Sequence, residues 1–298
     1  MKLVNNTIFI TGGSHRIGFE LIKTLYKIKI SKLFFVVLSM SALTIHAQPK
    51  KVLFIMSAAK ELKLSNGKSY PETGVFLSEF YLAYEEIVKA GYEVDFATPY
   101  GIVSSIDKES YNKKYWGNKD TLITEANEFV KQNSKFNKPL TLEQAIEGIY
   151  NYSGMVIPGG QGLMVDLYYD QNISKILKHF SEKGKPLGLI CHAPALILSI
   201  PKEENPFIGY SVNSVTGLEE FFIENFVMKG KPKNRKIAKQ LKKLGLKYKK
   251  GSPASNFAVR DRELITSQNP YSNETFNKLY VEALKDYELK GSLRTVNK

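Results

Sequence analysis

From residue 48 onward, short apolar runs alternate with stretches whose apolar residues recur every three or four positions. Lys51-Val52-Leu53-Phe54-Ile55-Met56 is a run of the length and β-branched content of a buried strand, closed by Ser57-Ala58-Ala59. From Gly74 to Ala90 the apolar positions Phe76, Phe80, Ala83, Ile87 and Ala90 form one stripe, which predicts an amphipathic helix with Gly91 at its C-terminal end. Tyr92 to Ala97 alternates as a strand and breaks before Pro99. Gly154-Met155-Val156-Ile157 and Leu187-Gly188-Leu189-Ile190 are two further strands, the first entering Pro158-Gly159-Gly160-Gln161-Gly162 and the second Cys191-His192-Ala193-Pro194 and a helix through Leu198. Strand, helix and strand in repetition predict an α/β fold: a mostly parallel sheet covered on both faces, with its sites at the strand C-terminal ends. Residues 101–147, polar but carrying Tyr111, Tyr115, Trp116, Phe129 and Phe136, are too long for an ordinary connection. They read as a lid or subdomain, or equally as a solvated excursion.

The first 47 residues follow another pattern. Asn6 to Thr11 is a strand candidate leading through Gly12-Gly13-Ser14-His15-Arg16-Ile17-Gly18 into a helical stretch, the arrangement that aims backbone N–H groups at a pyrophosphate. Residues 1–27 thus resemble the opening of a short-chain dehydrogenase. Arg16 replaces the middle glycine and no ribose-binding acid follows, so this fragment is expected to be non-functional. Residues 28–47 then give a basic stub, about a dozen apolar residues and a small residue before a polar one, the layout of an export signal cleaved after Ala47. The expectation is an exported protein if that signal is used and a cytoplasmic one otherwise, with 48–298 as the working domain.

Composition narrows the chemistry. The 298 residues contain one cysteine and four histidines, which excludes a disulfide framework and a Cys-based zinc site and leaves no metal or other cofactor in view. No apolar run is long enough for a membrane span. The net charge of +13 is concentrated: Lys229 to Lys250 holds eleven basic residues and no acid, on an amphipathic pattern of Ile237, Leu241 and Leu244 ended by Gly245. With no recognition motif beside it, this reads as a solvated helix face, and nucleic acid is not expected as a partner.

Cys191 stands at a strand-to-helix switch, where a helix N-terminus lowers a thiol pKa toward the nucleophilic thiolate. His192 adjoins it. Gly159 and Gly160 would let backbone N–H groups approach a reacting oxygen. Glu79 falls on the apolar face of its helix, where burial raises its pKa and suits it to proton transfer beside a thiolate.

Taken together, Lys51–Met56, Thr73-Gly74-Val75-Phe76-Leu77-Ser78-Glu79, Gly91–Gly101, Ile157-Pro158-Gly159-Gly160, Ile190-Cys191-His192-Ala193-Pro194 and Leu264-Ile265-Thr266-Ser267-Gln268-Asn269-Pro270 resemble the ThiJ/PfpI family of the class I glutamine amidotransferase-like superfamily. Within it the chain is most similar to the glutathione-independent glyoxalase and heat-inducible chaperone branch. The resemblance implies a three-layer α/β/α flavodoxin-like sandwich, a nucleophilic Cys191 with Glu79 and His192, and a third acid among Glu219, Glu220 and Glu224, of which Glu220 is chosen by its distance from the cysteine. Many glyoxalase-like relatives have Gly-Gly-His-Gly where this chain has Gly159-Gly160-Gln161-Gly162, which makes Gln161 a substrate contact that differs. The implied reaction turns a small 2-oxoaldehyde such as methylglyoxal into a 2-hydroxy acid (D-lactate), with a homodimer as the assembly relatives often form. The alternatives are a stress chaperone or redox-sensing binding protein, and a cysteine peptidase or amidase.

Overall fold

The computed structural model describes residues 50–117 and 119–294. The glycine turn at 12–18, the signal-like segment at 28–47 and its cleavage position lie outside these residues. Eleven strands are present among the described residues: β1 (Lys51–Ile55), β2 (Glu61–Lys63), β3 (Ser69–Pro71), β4 (Glu93–Thr98), β5 (Leu140–Thr141), β6 (Tyr152–Ile157), β7 (Leu187–Ile190), β8 (Ser211–Val212), β9 (Lys247–Tyr248), β10 (Ala258–Asp261) and β11 (Leu264–Ser267). Seven of them form the central sheet in the order β10-β11-β7-β6-β1-β4-β5. Every neighbouring pair in that sheet is parallel except β10 with β11.

The main helices are α1 (Leu77–Lys89), α2 (Asp120–Gln132), α3 (Gln171–Glu182), α4 (Gly217–Phe222), α5 (Ile237–Leu244) and α6 (Asn273–Lys290). α6 packs on α1 and on β10 and β11, whereas α3 packs on β7 and on the 3-10 helix over 193–199. A Cβ on Gly154 or Gly188 would collide with Tyr280 or Phe276 of α6, so these two positions face that layer. The result is the α/β/α sandwich that the alternating pattern predicts. Val52 to Ile55 and all of β7 have no or almost no exposure, as strands covered on both faces require. Each such side chain contributes roughly 1.5–3 kcal/mol over an exposed one.

Three local expectations change. The first helix begins at Leu77 rather than Gly74, because the backbone of Val75 and Phe76 is already committed: Val75 pairs with Ser105 and Asp107, and the Phe76 N–H donates to Gly159 O at 3.0 Å. The helix after Cys191 is 3-10 over Ala193–Ser199. Residues 101–147 split between two roles. Trp116, Ala126 and Phe136 are buried in the main core, and Leu140–Thr141 adds the edge strand β5 beside β4, while Asp107, Glu109, Lys114 and Tyr115 turn toward a cavity. A length argument alone could not separate those parts.

Candidate active site

The order in which strands are added reverses at β1, with β4 on one side and β6 on the other, and the segments that follow β6 and β7 line a crevice at the strand C-terminal ends. Cys191 follows β7 directly and has φ 58°, a left-handed conformation that costs an ordinary residue about 1–3 kcal/mol. Two bonds hold it: the Cys191 N–H donates to Ser267 O and the Val215 N–H donates to Cys191 O, both at 2.9 Å. The turn lifts Sγ to the floor of a cavity of about 520 Å³ that is lined also by Gly160, Gln161, His192 and Glu219.

Glu79, in the first turn of α1, is fully buried. Its Oε2 accepts the Gly159 N–H at 3.0 Å, and its Oε1 has no partner among the described residues. Burial pushes its pKa up to about 8, against lowering contributions from the Cys191 thiol and the Gly159 N–H that touch it. The Cys191 thiol is pushed well above its usual range, first by burial and then by the charges of Glu79 and Glu219. This reverses the expectation of a thiol acidified by a helix end: the following turn is short and 3-10, and two carboxyl groups stand nearer. Near neutral pH the Glu79–Cys191 pair therefore holds its protons, and the first one leaves at the glutamate's raised pKa.

Gly159 is what lets these two groups meet. A Cβ there would lie 2.5 Å from Glu79 Oε2 and 2.7 Å from Cys191 Cβ. Its N–H is taken by Glu79, so of the two glycines expected to hold a reacting oxygen only Gly160, with φ 109° and on the cavity wall, keeps its N–H for that purpose.

His192 is buried, with Nδ1 3.2 Å from Cys191 Sγ and Nε2 2.8 Å from Gln161 Nε2. Burial lowers its pKa to about 4, so it is neutral at pH 7. Gln161, expected as a substrate contact, is thus chiefly a partner of His192. With the amide N–H donating to Nε2, the ring carries its proton on Nδ1 and offers it to sulfur.

The third acid does not join this chain. Glu220 shares a small cavity with Gln161 and His192 but bonds neither. Its Oε1 accepts the Ile237 N–H at 3.3 Å, its Oε2 has no partner among the described residues, and burial raises its pKa to about 7. Gln161 occupies the ring nitrogen an acid would use. Glu224 pairs with Arg235 at 2.5 Å. Glu219 lines the main cavity and accepts hydrogen bonds from Thr216, Ala254, Gln268 and Asn269, which tie three segments together.

Sequence reasoning missed the far wall of the cavity. Asp107 is buried, accepts from Tyr70 Oη at 3.2 Å and from the Glu109 N–H at 3.0 Å, and has a pKa raised by burial to about 6. Tyr115 donates to Glu109 at 2.9 Å and packs on Phe76 and Tyr271. The Asp-x-Glu turn cap was a legible local signal, but its position over Cys191 was not. Among the described residues no cluster of three His, Cys, Asp or Glu could hold a metal ion, and no helix is long and apolar enough to cross a membrane.

Comparison with known proteins places these features in a family. A family model described as ThiJ/PfpI family-like matches residues 70–216. The chain is 28% identical over 242 residues to the protein/nucleic acid deglycase HchA of Staphylococcus aureus, covering 78% of this chain and 80% of that protein. It is 26% identical to the crystal structure of glyoxalase III from Candida albicans, with a TM-score of 0.61 and coverage of 78% and 97%. The Francisella tularensis Rapid Encystment Protein, at 22% identity and a TM-score of 0.65, shares the fold. The first of these names includes nucleic acid, so the exclusion of that partner from sequence finds no support.

Proposed function

This chain belongs to the ThiJ/PfpI family, in its glyoxalase and chaperone branch, and we propose that it is a cysteine-dependent enzyme that converts 2-oxoaldehydes such as methylglyoxal to 2-hydroxy acids without glutathione. The observation that carries this reading is the fully buried Glu79, with one oxygen unpartnered, against the thiol of Cys191 at a strained turn. A carboxyl with its pKa near 8 can both give and take a proton at working pH.

The scheme starts once the Glu79–Cys191 pair has lost one proton. The remaining proton sits on Glu79, the His192 Nδ1–H supports the thiolate, and sulfur attacks the aldehyde carbon. The S–C bond forms as the carbonyl π pair moves to oxygen, which the Gly160 N–H holds and the Glu79 proton neutralises. The Glu79 carboxylate then takes the hydrogen from the sulfur-bearing carbon and returns it to the neighbouring carbonyl carbon through an enediol. That leaves a 2-hydroxyacyl thioester on Cys191. Water cleaves it, releasing the hydroxy acid and restoring the thiol. One aldehyde and one water become one hydroxy acid, with no net oxidation.

Peptide or amide hydrolysis by Cys191 and His192 is less well supported, because the ring's second nitrogen meets Gln161 rather than an orienting acid and the ring resists protonation. The deciding experiment measures lactate from methylglyoxal with the parent chain and with Cys191→Ala. Equal rates would remove the proposal.

A further inference from the structure

Beside the catalytic cavity, between α4 and α5, runs a groove of about 600 Å³ whose walls carry Arg235, Lys236, Lys239, Lys242, Lys250 and Phe221. Pro253 borders both spaces, and Phe222, next to Phe221 on α4, lines the cavity. All ten lysines from Lys229 to Lys250 are exposed, and among the described residues none lies within 4 Å of a carboxylate. By contrast, nine lysines elsewhere in the described chain are paired with an acid.

This cationic face is held rigidly. Ile237 and Leu241 anchor α5 in the core, Glu220 accepts the N–H at its first residue, and Glu224 fixes Arg235. Crowding like charges on a fixed surface stores repulsion that a chain of anions relieves, with release of counterions. Phe221, 53% exposed and set among these cations, offers a ring face on which a base can stack. Its placement in a concave groove, not on a protruding tip, suits a threaded chain better than a lipid surface.

We propose that this groove docks single-stranded nucleic acid, its phosphates on the α5 lysines and a base against Phe221, along a path that ends at the catalytic cavity. The docking needs neither the cysteine nor any aldehyde chemistry. The test is fluorescence anisotropy of a labelled oligothymidylate with the full-length protein. Neutralisation by the four unpaired lining lysines should give a log–log salt slope of about −3. Lys239→Glu with Lys242→Glu should weaken binding at least tenfold, and Phe221→Ala by roughly fivefold or more. Both variants should keep parental aldehyde turnover, which guards against a folding defect, and Cys191→Ala should bind as the parent does. Undiminished binding by the double variant, a slope near zero, or capture of phosphatidylserine vesicles in preference to the oligonucleotide would each overturn it.

Discussion

The cavity over Cys191 and the groove beside α5 are built on the two sides of one short helix, α4, and treat charge in opposite ways. Glu219 points to the cavity, where Glu79 and Cys191 are buried together and each shifts the other's proton affinity. Glu220, one residue on, points to the base of α5, beyond which lysines stand in water with no ion-pair partner among the described residues. The cavity would gain reactivity by desolvating few groups; the groove would gain affinity by leaving many exposed. Adjacent acids in sequence therefore serve different electrostatic regimes, and proximity to the cysteine along the chain is a poor guide to a catalytic partner.

The sharpest way to break the contrast is Cys191→Ala, which should reduce lactate formation on the order of 10⁴-fold or more while leaving oligonucleotide binding intact. Loss of both would mean the two regions are one site. Glu79→Gln should lower kcat/KM by roughly 10²–10³-fold, since it keeps the shape but cannot carry the proton. In the parent, kcat/KM should rise with pH through about 8, as the buried pair loses its first proton, and the variant should lose that inflection. A flat parental profile would show that Glu79 does not govern the cysteine.

The smallest effect concerns the seam between the regions. Glu220 has its pKa raised by burial from 4.5 to about 7, so the folded state holds a proton that the unfolded chain releases earlier. Its contribution is neutral below about pH 4.5 and becomes destabilising as pH climbs to about 7, by on the order of 3 kcal/mol. Glu220→Gln should flatten the fall in thermal midpoint between pH 5 and 7. An unchanged slope would place the titration elsewhere.

Much of this was readable in the chain. The apolar runs at 51–56, 154–157 and 187–190 mark strands because strands buried on both faces cannot alternate, and Glu79 betrayed itself by sitting on an apolar helix face. What escaped were contacts set by distance in space. Gly159 was read as a donor to substrate, but its N–H belongs to Glu79, a partner 80 positions away. Gln161 was read as facing substrate; it lines the cavity, and its bond to His192 was not foreseen. Asp107 and Tyr70 come from irregular segments with no periodicity to place them over the cavity. The basic stretch was recognised as a helix face, and Ile237–Leu244 is that helix, but the unpaired state of its lysines needed the three-dimensional arrangement of every acid.

The turn at Cys191 is closed from downstream, by Val215 and by Ser267 in β11. During synthesis the nucleophile, its histidine and its glutamate all emerge well before the strand that shapes them. A chain ending before Leu264 carries the whole reactive set without its scaffold and is expected to yield no lactate even where it stays soluble, as the same assay would register. On the proposed function, reactivity would then wait on a strand that is among the last to be made.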